Sequence, residues 1–433
     1  MSSKPVQSTS GVAVESRDNA RSARYMQLAL LVIAAGAIYP ILYLRQVYQP
    51  TMLEVFHITE EQLGYLYSAL GTLFLICYLP SGWLADRVKP RVLISFSLIA
   101  TGALGLWYST APSFTALIVI FGSWGLTTGL TFWAAIIKRV QMIAGSDEQG
   151  RFFGLLDGGR GLIEALLATI AISLFAWATN RHGDDNVHGF RLVVYMYAFL
   201  CIFLGVVLGL VRDPQGAQAA ETKREKRNVI RDLGTLLKNP QLLLLAGIVF
   251  CGYQVFWATY SFSAYLHEKE IGLSVVAAGF ITTLKLWMHP VGGIGGGLLG
   301  DRFSKTSVLI FALFAAAAAL LVLMVAPAIA NNWIIAAVVL FIGIMTYAIR
   351  GLYWSLLDQC KVPAEIMGLA IGLVSVLGYS PDAVLPLING YLTQHYPGVH
   401  GYQLYFGYIA FMSALGGVAA IVFTHRLKKQ AQA

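Results

Sequence analysis

Four basic side chains lie inside long apolar stretches of this sequence. They are Arg45 in LYLRQVYQP, Arg160 in LLDGGRGLIEALL, Lys285 in ITTLKLWMHP and Arg350 in TYAIRGLYW. A cation in an apolar setting is costly, so such residues generally face a cavity or an acidic partner. The planar guanidinium fork suits a phosphate, sulfonate or carboxylate, and a lysine can bind an anion or pair with an acid. These four side chains are therefore the predicted substrate-binding cations.

Acidic residues and one histidine lie close to these cations in the sequence. Glu164 follows Arg160 by four residues, His289 follows Lys285 by four, and Asp382 lies in the apolar run LGYSPDAVLP. Residues four apart share one face of a helix. We interpret the three groups as candidates to carry a coupled proton.

Pairing among these charges is the alternative interpretation. Asp157, Arg160 and Glu164 would then neutralise one another, and Asp382 would be the partner of Lys285. Arg350 would form an inner-gate ion pair with Asp358 or Asp157, and Arg45 would lie at the lipid interface and extend to headgroups.

Aromatic and amide side chains supply the remaining polar contacts of the predicted site. Tyr43, Tyr253, Gln254 and Trp257 lie on segments expected to line it. Most aromatic residues in such a chain serve packing, so these four are secondary candidates.

Composition places these residues in a membrane protein. Of the 433 residues, 57% are apolar and 12% are charged, whereas soluble proteins carry about 25% charged residues. The net charge of +8 follows from loop lysines and arginines and does not indicate nucleic-acid binding. The four cysteines lie in apolar runs without metal-ligand spacing, which predicts buried free thiols.

Twelve apolar runs are long enough to cross a bilayer. They begin near Met26, Leu63, Arg91, Thr115, Phe152, Leu192, Leu242, Val275, Ser307, Trp333, Gly368 and Tyr405. With the N-terminus inside, only Arg181, Arg191 and Lys269 of the 30 lysines and arginines fall in outer segments. This asymmetry predicts cytoplasmic termini. The predicted organisation is a tail (1–25), a six-helix bundle (26–211), a cytoplasmic loop (212–239), a second bundle (240–425) and a tail (426–433).

A short motif occurs twice at a constant offset. GWLADR begins at Gly82 and GLLGDR begins at Gly297, which places Asp86 opposite Asp301 and Arg87 opposite Arg302. A parallel repeat of this kind is typical of transporters whose halves are related by an axis along the membrane normal.

The doubled Gly-x-Leu-x-Asp-Arg motif resembles the loop motif of the major facilitator superfamily. The resemblance covers all the predicted spans and implies an all-α fold of two six-helix bundles. It also implies that Gly82, Asp86, Arg87, Arg91, Gly297, Asp301 and Arg302 belong to a cytoplasmic gate, with each glycine allowing close helix approach.

The stretch YLRQVYQPTM resembles the first span of organophosphate:phosphate antiporters and related organic-anion transporters. In those families an arginine at the position of Arg45 binds the anionic substrate. Two features depart from that pattern: CGYQVFWATYSFSAYL contains no arginine, and Tyr78 lies near the place of a lysine. Sugar acids, sulfonated sugars and carboxylates therefore fit as well as phosphate esters.

The sequence thus predicts a multi-pass plasma-membrane (inner-membrane) protein that moves a small organic anion, with proton symport as the default coupling. Alternatives are a neutral sugar or nucleoside symporter, an efflux permease and a non-transporting solute sensor. No enzyme, cofactor or metal site is predicted: there is no GxxxxGK[ST] motif, and His182, Asp184 and His188 are expected in a solvated turn. We expect a monomer whose partners are the bilayer and a small solute.

Overall fold

The computed structural model of the chain describes residues 9–144, 148–181, 183, 185–211, 229–329, 331–363 and 366–432. Within these ranges the chain forms helices and no strand. The helices of the first half are α1 (Thr9–Ala37), α2 (Arg45–Phe56), α3 (Glu60–Arg87), α4 (Pro90–Tyr108), α5 (Phe114–Gly129), α6 (Trp133–Ile143), α7 (Gln149–Arg181) and α8 (Asn186–Leu210).

The remaining helices follow in chain order. They are α9 (Val229–Leu237), α10 (Pro240–Ala258), α11 (Phe262–His267), α12 (Val275–Leu286), α13 (Met288–Arg302), α14 (Lys305–Met324), α15 (Ala326–Ile329), α16 (Asn332–Tyr353), α17 (Met367–Gly378), α18 (Pro381–His395) and α19 (Val399–Gln432). Two 3-10 segments, Thr259–Ser261 and Trp354–Cys360, extend α10 and α16. Residues 212–228 of the predicted central loop, and His182 and Asp184, lie outside the described ranges.

Nine helical stretches in the described part are long and apolar enough to cross a membrane, or ten if the bent pair Glu60–Tyr78 and Pro80–Arg87 counts as one span. The predicted first and eighth runs do not pass that test as single helices. The first is divided between α1 and α2, and the eighth between α12 and α13. Hydropathy locates an apolar run but does not reveal where its backbone bends.

Proline accounts for both interruptions. Turns replace the helix over residues 38–44, which include Pro40, and α2 then contains Pro50 with Tyr48 outside helical geometry at φ −120° and ψ 22°. The break at Trp287 precedes Pro290, which occupies the first turn of α13. A proline ring clashes with the carbonyl four residues earlier, so it is tolerated only at the start of a helix or beside a kink.

Large apolar side chains cover the outward faces of the long helices. Phe203 on α8 is 63% exposed, Phe311 on α14 is 65% exposed and Phe411 on α19 is 65% exposed. Repeated exposure of this kind indicates a lipid-facing surface. The four cysteines are free and buried, which confirms the sequence prediction.

Helices α3 and α18 make the closest contact between the two halves. We call the end of the molecule at which α3 begins the Glu60 face and the opposite end the Arg87 face. A Cβ on Gly71 would collide with the backbone carbonyl of Asp382, and one on Gly64 would lie 2.5 Å from the Pro386 oxygen. Only glycine permits backbones to approach so closely. The halves are therefore sealed together along the part of α3 that leads to the Glu60 face.

The doubled motif lies at the Arg87 face and is not tightly packed. A Cβ on Gly82 or on Gly297 would meet no heavy atom within 4 Å. The close helix approach that the motif implies is thus not present in this conformation, and its role in gating stays a prediction. Asp86 lies 3.7 Å from Lys138 of α6, and the Arg87 guanidinium lies over Trp83.

The other motif residues have separate surroundings. Arg91 lies in the first turn of α4 beside a surface groove lined by Ser95 and Gly209. Asp301 and Arg302 are exposed at the end of α13, and the Arg302 guanidinium lies 5.7 Å from the Phe303 ring centre.

The glycine contact gives a test of the sealed end. Gly71→Ala inserts a methyl group against the Asp382 backbone, and overpacking of this kind costs about 1–3 kcal/mol. We expect a lower thermal unfolding midpoint of the purified protein in detergent. Gly82→Ala is the matched control on the same helix and should leave the midpoint unchanged or slightly raised. Equal midpoints for the two variants would contradict the packing described.

Candidate functional site

A cluster of aromatic rings joins the two halves at the centre of the molecule. Tyr43, in the turn before α2, lies 5.3 Å from the ring of Tyr260 and 6.5 Å from that of Trp257, centre to centre. A second bridge pairs Tyr78 of α3 with Tyr379, between α17 and α18, at 6.2 Å. The rings of the two halves therefore meet beside the interruptions in the helices.

Asp382 is held from α10 at the start of α18. The Trp257 indole Nε1 donates to Asp382 Oδ1 at 2.6 Å, and the Tyr253 hydroxyl lies within hydrogen-bonding reach of the same carboxylate. Asp382 is 3% exposed. The alternative interpretation, in which Asp382 pairs with Lys285, is not realised in this structure.

Arg350 lies against aromatic side chains on α16. Its guanidinium carbon is 4.2 Å from the Phe256 ring centre, and the Tyr353 hydroxyl lies within hydrogen-bonding reach. Within the described ranges no carboxylate forms an ion pair with Arg350, so the predicted pairing with Asp358 or Asp157 is absent. The residue is partly exposed. Asp382 interacts with Arg350 electrostatically but forms no ion pair with it, so Arg350 has no direct anionic partner among the described residues.

Lys285 is fully enclosed between α12 and α16. Its Nζ donates to Thr259 Oγ1 at 3.1 Å, and its exposure is 0%. Gly343 of α16 is required beside it, because a Cβ there would lie 2.7 Å from Lys285 Cγ. Glu164 is close enough to interact with Lys285 electrostatically. The ammonium is therefore compensated at a distance and is not itself open to a solute.

His289 contacts both halves. Its ring stacks on Tyr347 at 4.3 Å with an interplanar angle of 6°, and it lies directly against Gly161 of α7. The stacking and packing of the His289 ring indicate a structural contact. Its titrating role stays a prediction. Glu164, one turn further along α7, is partly exposed.

Arg160 combines an ion pair with an aromatic contact. One guanidinium nitrogen lies 3.1 Å from Asp157 Oδ1, and the guanidinium carbon lies 5.1 Å from the Trp133 ring centre. The local charge pair predicted from the i, i+3 spacing is thus present. Arg160 is 17% exposed at its side chain and Asp157 is 68% exposed.

Arg45 belongs to a different cluster, toward the Glu60 face. It is 2% exposed, its Nε donates to Gln49 Oε1 at 3.2 Å, and its guanidinium lies 5.1 Å from the Tyr67 ring centre. The interpretation of Arg45 as a lipid-interface residue is wrong, because protein encloses the side chain. Its contact with a substrate stays a prediction.

The structure brings five of the predicted residues into one region. Tyr43, Tyr253, Trp257, Asp382 and Arg350 contact one another directly or through one ring. Gln254 is fully buried, and neither polar atom of its side chain has a hydrogen-bond partner.

Three important residues were not identified from the sequence. Phe256, the platform for Arg350, is one of many aromatic residues and carries no distinguishing signal. Glu60 follows Thr59 in TEEQ, a capping-box pattern whose two hydrogen bonds are present. In the sequence, Glu60 and Glu61 are therefore accounted for as acidic residues in the first turn of a helix. Tyr402, its partner on α19, is 342 residues away along the chain.

The hydrogen bond from Trp257 to Asp382 yields a testable expectation. Trp257→Phe keeps an aromatic ring and removes the donor, and a hydrogen bond to a charged group contributes about 1.5–3 kcal/mol. We expect a clear drop in the thermal unfolding midpoint. Tyr260→Phe, which removes a hydroxyl with no hydrogen bond among the described residues, should have a smaller effect. If both variants unfold together, the bond does not stabilise the centre.

Comparison with known proteins agrees with this architecture. The chain is 28% identical over 418 residues to the inner membrane protein YihN of Escherichia coli K12, covering 94% of this chain and 97% of that protein. It is 24% identical over 413 residues to the probable galactarate/D-glucarate transporter GudP of Bacillus subtilis, covering 86% of each. Its fold matches the crystal structure of a bacterial homologue of the lysosomal transporter Spinster with a TM-score of 0.75 at 16% identity, covering 94% and 98% of the two chains.

The family profile of the Major Facilitator Superfamily matches residues 26–384, most of the chain and both copies of the loop motif. The protein is therefore a multi-pass membrane transporter of the Major Facilitator Superfamily.

Proposed function

We propose that this protein is a secondary transporter for a small organic anion and that Arg350 binds the anionic group. One observation carries the proposal: Arg350 is a partly exposed guanidinium whose described partners are aromatic rings and a hydroxyl. A cation in such a setting lacks the compensation that burial normally demands. A carboxylate of the solute would supply it, with two parallel hydrogen bonds.

The relatives narrow the chemical class. GudP is named for galactarate and D-glucarate, which are sugar acids with a carboxylate at each end. The central cluster offers matching features, since Arg350 supplies a cation for one carboxylate and the tyrosines supply hydroxyls for a polyhydroxy chain. We therefore place sugar acids first, ahead of sulfonated or phosphorylated sugars and simple carboxylates.

The departures from the organophosphate antiporters support the same choice. The position expected to carry a lysine is near Tyr78, which contacts Tyr379 across the halves. The seventh predicted span contributes Phe256 and Trp257 where an arginine would be expected. A site with fewer free cations favours a carboxylate over a doubly charged phosphate ester.

The proposed topology has twelve spans with both termini in the cytoplasm. The nine long helices and the bent α3 account for ten, and the divided pairs α1 with α2 and α12 with α13 supply the first and eighth. Residues 26–211 and 240–425 then form the two bundles. The concentration of lysine and arginine makes the Arg87 face cytoplasmic and the Glu60 face external.

Proton symport is the proposed coupling, with Glu164 as the best-supported carrier. It is partly exposed and interacts electrostatically with the enclosed Lys285. Asp382 is already bonded to Trp257, and His289 is stacked on Tyr347. A carboxylate facing a buried ammonium can release its proton when the two halves rearrange around it.

Ligand-induced stabilisation tests the substrate class. Purified protein would be heated with galactarate, glucarate, a sugar phosphate, a sulfonated sugar and matched neutral sugars. A ligand at 100 times its dissociation constant adds about 2.7 kcal/mol of stability. We expect a raised midpoint with sugar acids. Arg350→Gln should weaken binding about 10- to 150-fold, since a charge-assisted hydrogen bond contributes about 1.5–3 kcal/mol.

Lys269→Gln is the control, because it removes an exposed positive charge at the Glu60 face. Stabilisation by neutral sugars in both wild type and Arg350→Gln would overturn the anion proposal in favour of a neutral sugar or nucleoside symporter. A ligand that binds but shows no flux in proteoliposomes would indicate a solute sensor.

The coupling assignment predicts a separation of two transport modes. Glu164→Gln should abolish accumulation driven by a pH gradient while retaining exchange of internal for external solute in proteoliposomes. Asp157→Gln loses the ion pair with Arg160 and serves as the acidic control on the same helix. If Glu164→Gln still accumulates solute against its gradient, Glu164 is not the proton carrier.

A further inference from the structure

A hydrogen-bonded cluster near the Glu60 face is not used by the proposed substrate site. Gln49 Nε2 lies 2.7 Å and 3.0 Å from the two carboxylate oxygens of Glu60, and the Tyr402 hydroxyl donates to Glu60 Oε1 at 3.2 Å. Glu60 is partly exposed, while Gln49 and Tyr402 are buried. The Glu60 carboxylate therefore contacts buried partners on one side and is accessible from the surface on the other.

Arg45 fixes the direction of these bonds. An arginine can only donate, so Gln49 must present its carbonyl oxygen to Arg45 Nε and its amide nitrogen to Glu60. Gln49 thus forms a hydrogen-bonded bridge between Arg45 and the carboxylate of Glu60. Among the described residues no cation forms a direct ion pair with Glu60.

The cluster spans the boundary between the two halves. Gln49 lies on α2 and Glu60 on α3, whereas Tyr402 lies on α19. Gly390 of α18 packs onto the same place, where an added Cβ would lie 2.7 Å from the Glu60 carbonyl oxygen. Any separation of the halves at this face must break the bond between Glu60 and Tyr402.

We propose that Glu60 is a proton-binding latch: its ionised carboxylate holds the external side closed, and its protonation from outside releases it. Each of the three contacts is donated to the carboxylate. A protonated carboxyl group turns one oxygen into a donor, which then faces another donor. Protonation therefore sets Glu60 against the Gln49 amide and replaces the charge-assisted bond from Tyr402, which crosses the boundary, with a neutral one of about half the strength.

Charged groups on each neighbouring element set the balance of this latch. Burial is the largest influence and disfavours the ionised form of Glu60, whereas Arg45 on α2 and the Tyr402 hydroxyl on α19 favour it. Glu268, just beyond α11, opposes it. Burial, together with the carboxylates of Glu270 and Glu60, raises the pKa of Glu268. The acids at this face therefore disfavour one another's ionised forms.

Distance measurements between spin labels test the latch. Cysteines replacing Thr110 and Gln394, which are exposed at the Glu60 face in opposite halves, would carry the labels. The four native cysteines are buried, so the new thiols react selectively. In wild type we expect the longer-distance population to grow as the pH falls. Glu60→Gln should raise the open-to-closed ratio about tenfold at neutral pH and remove its pH dependence.

Two further variants separate the latch from general damage. Glu61→Gln changes the adjacent carboxylate, which accepts from Tyr65 on the same helix, and should behave as wild type. Tyr402→Phe should raise the open population and lose most of the pH response, because the hydroxyl is the partner of the Glu60 carboxylate across the boundary. The proposal would be overturned if Glu60→Gln stayed closed at neutral pH and still responded to pH. It would also be overturned if Glu61→Gln opened as much as Glu60→Gln.

The latch adds an external gate to the proposed transporter, and only the naming of its external side rests on that proposal. The distances are measured without solute or flux. If no sugar acid binds, the pH response of the labels is unaffected. If the labels do not respond while sugar acids still bind, the latch fails and the transport proposal stands.

Discussion

The cost of enclosing charge in an apolar bundle is the constraint on which this structure depends. Each of the four cations predicted as substrate-binding residues is compensated in its own way: Arg160 by a carboxylate, Lys285 by a hydroxyl with a more distant acid, Arg350 by aromatic rings and Arg45 by an amide. A charge without compensation would destabilise the fold by several kcal/mol. The cation with the weakest compensation and some exposure, Arg350, is for that reason the natural place for an anionic solute.

Glycine provides the second constraint, because it determines where the halves can touch. Gly64, Gly71 and Gly390 bring backbone against backbone near the Glu60 face, while Gly82 and Gly297 have no neighbour at the Arg87 face. Glycine thus permits close backbone contact between the halves at the Glu60 face, whereas Gly82 and Gly297 make no such contact at the Arg87 face. This asymmetry describes one state of a molecule whose two ends can close in turn, as the proposed mechanism requires.

The proposed latch and the proposed substrate site lie in separate layers of the protein. The latch at Glu60 is formed by hydrogen bonds between halves, whereas the central cluster is formed mainly by rings around Arg350. Tyr43 and Arg45 are two residues apart yet belong to different layers, because the turns at residues 38–44 end just before α2 begins. A break in one helix therefore places a solute contact next to a gate contact.

The sequence by itself determined the family, the apolar runs, the internal repeat and the four basic residues within apolar runs, because hydropathy, motif spacing and charge are local properties. The pair of Arg160 with Asp157 belonged to the alternative charge-pairing interpretation, and it follows from helical spacing. The sequence did not determine the breaks at residues 38–44 and at Trp287, and it could not assign Asp382 to Trp257 or Glu60 to Tyr402. Those partners are 125 and 342 residues apart. Only tertiary packing brings them within hydrogen-bond distance.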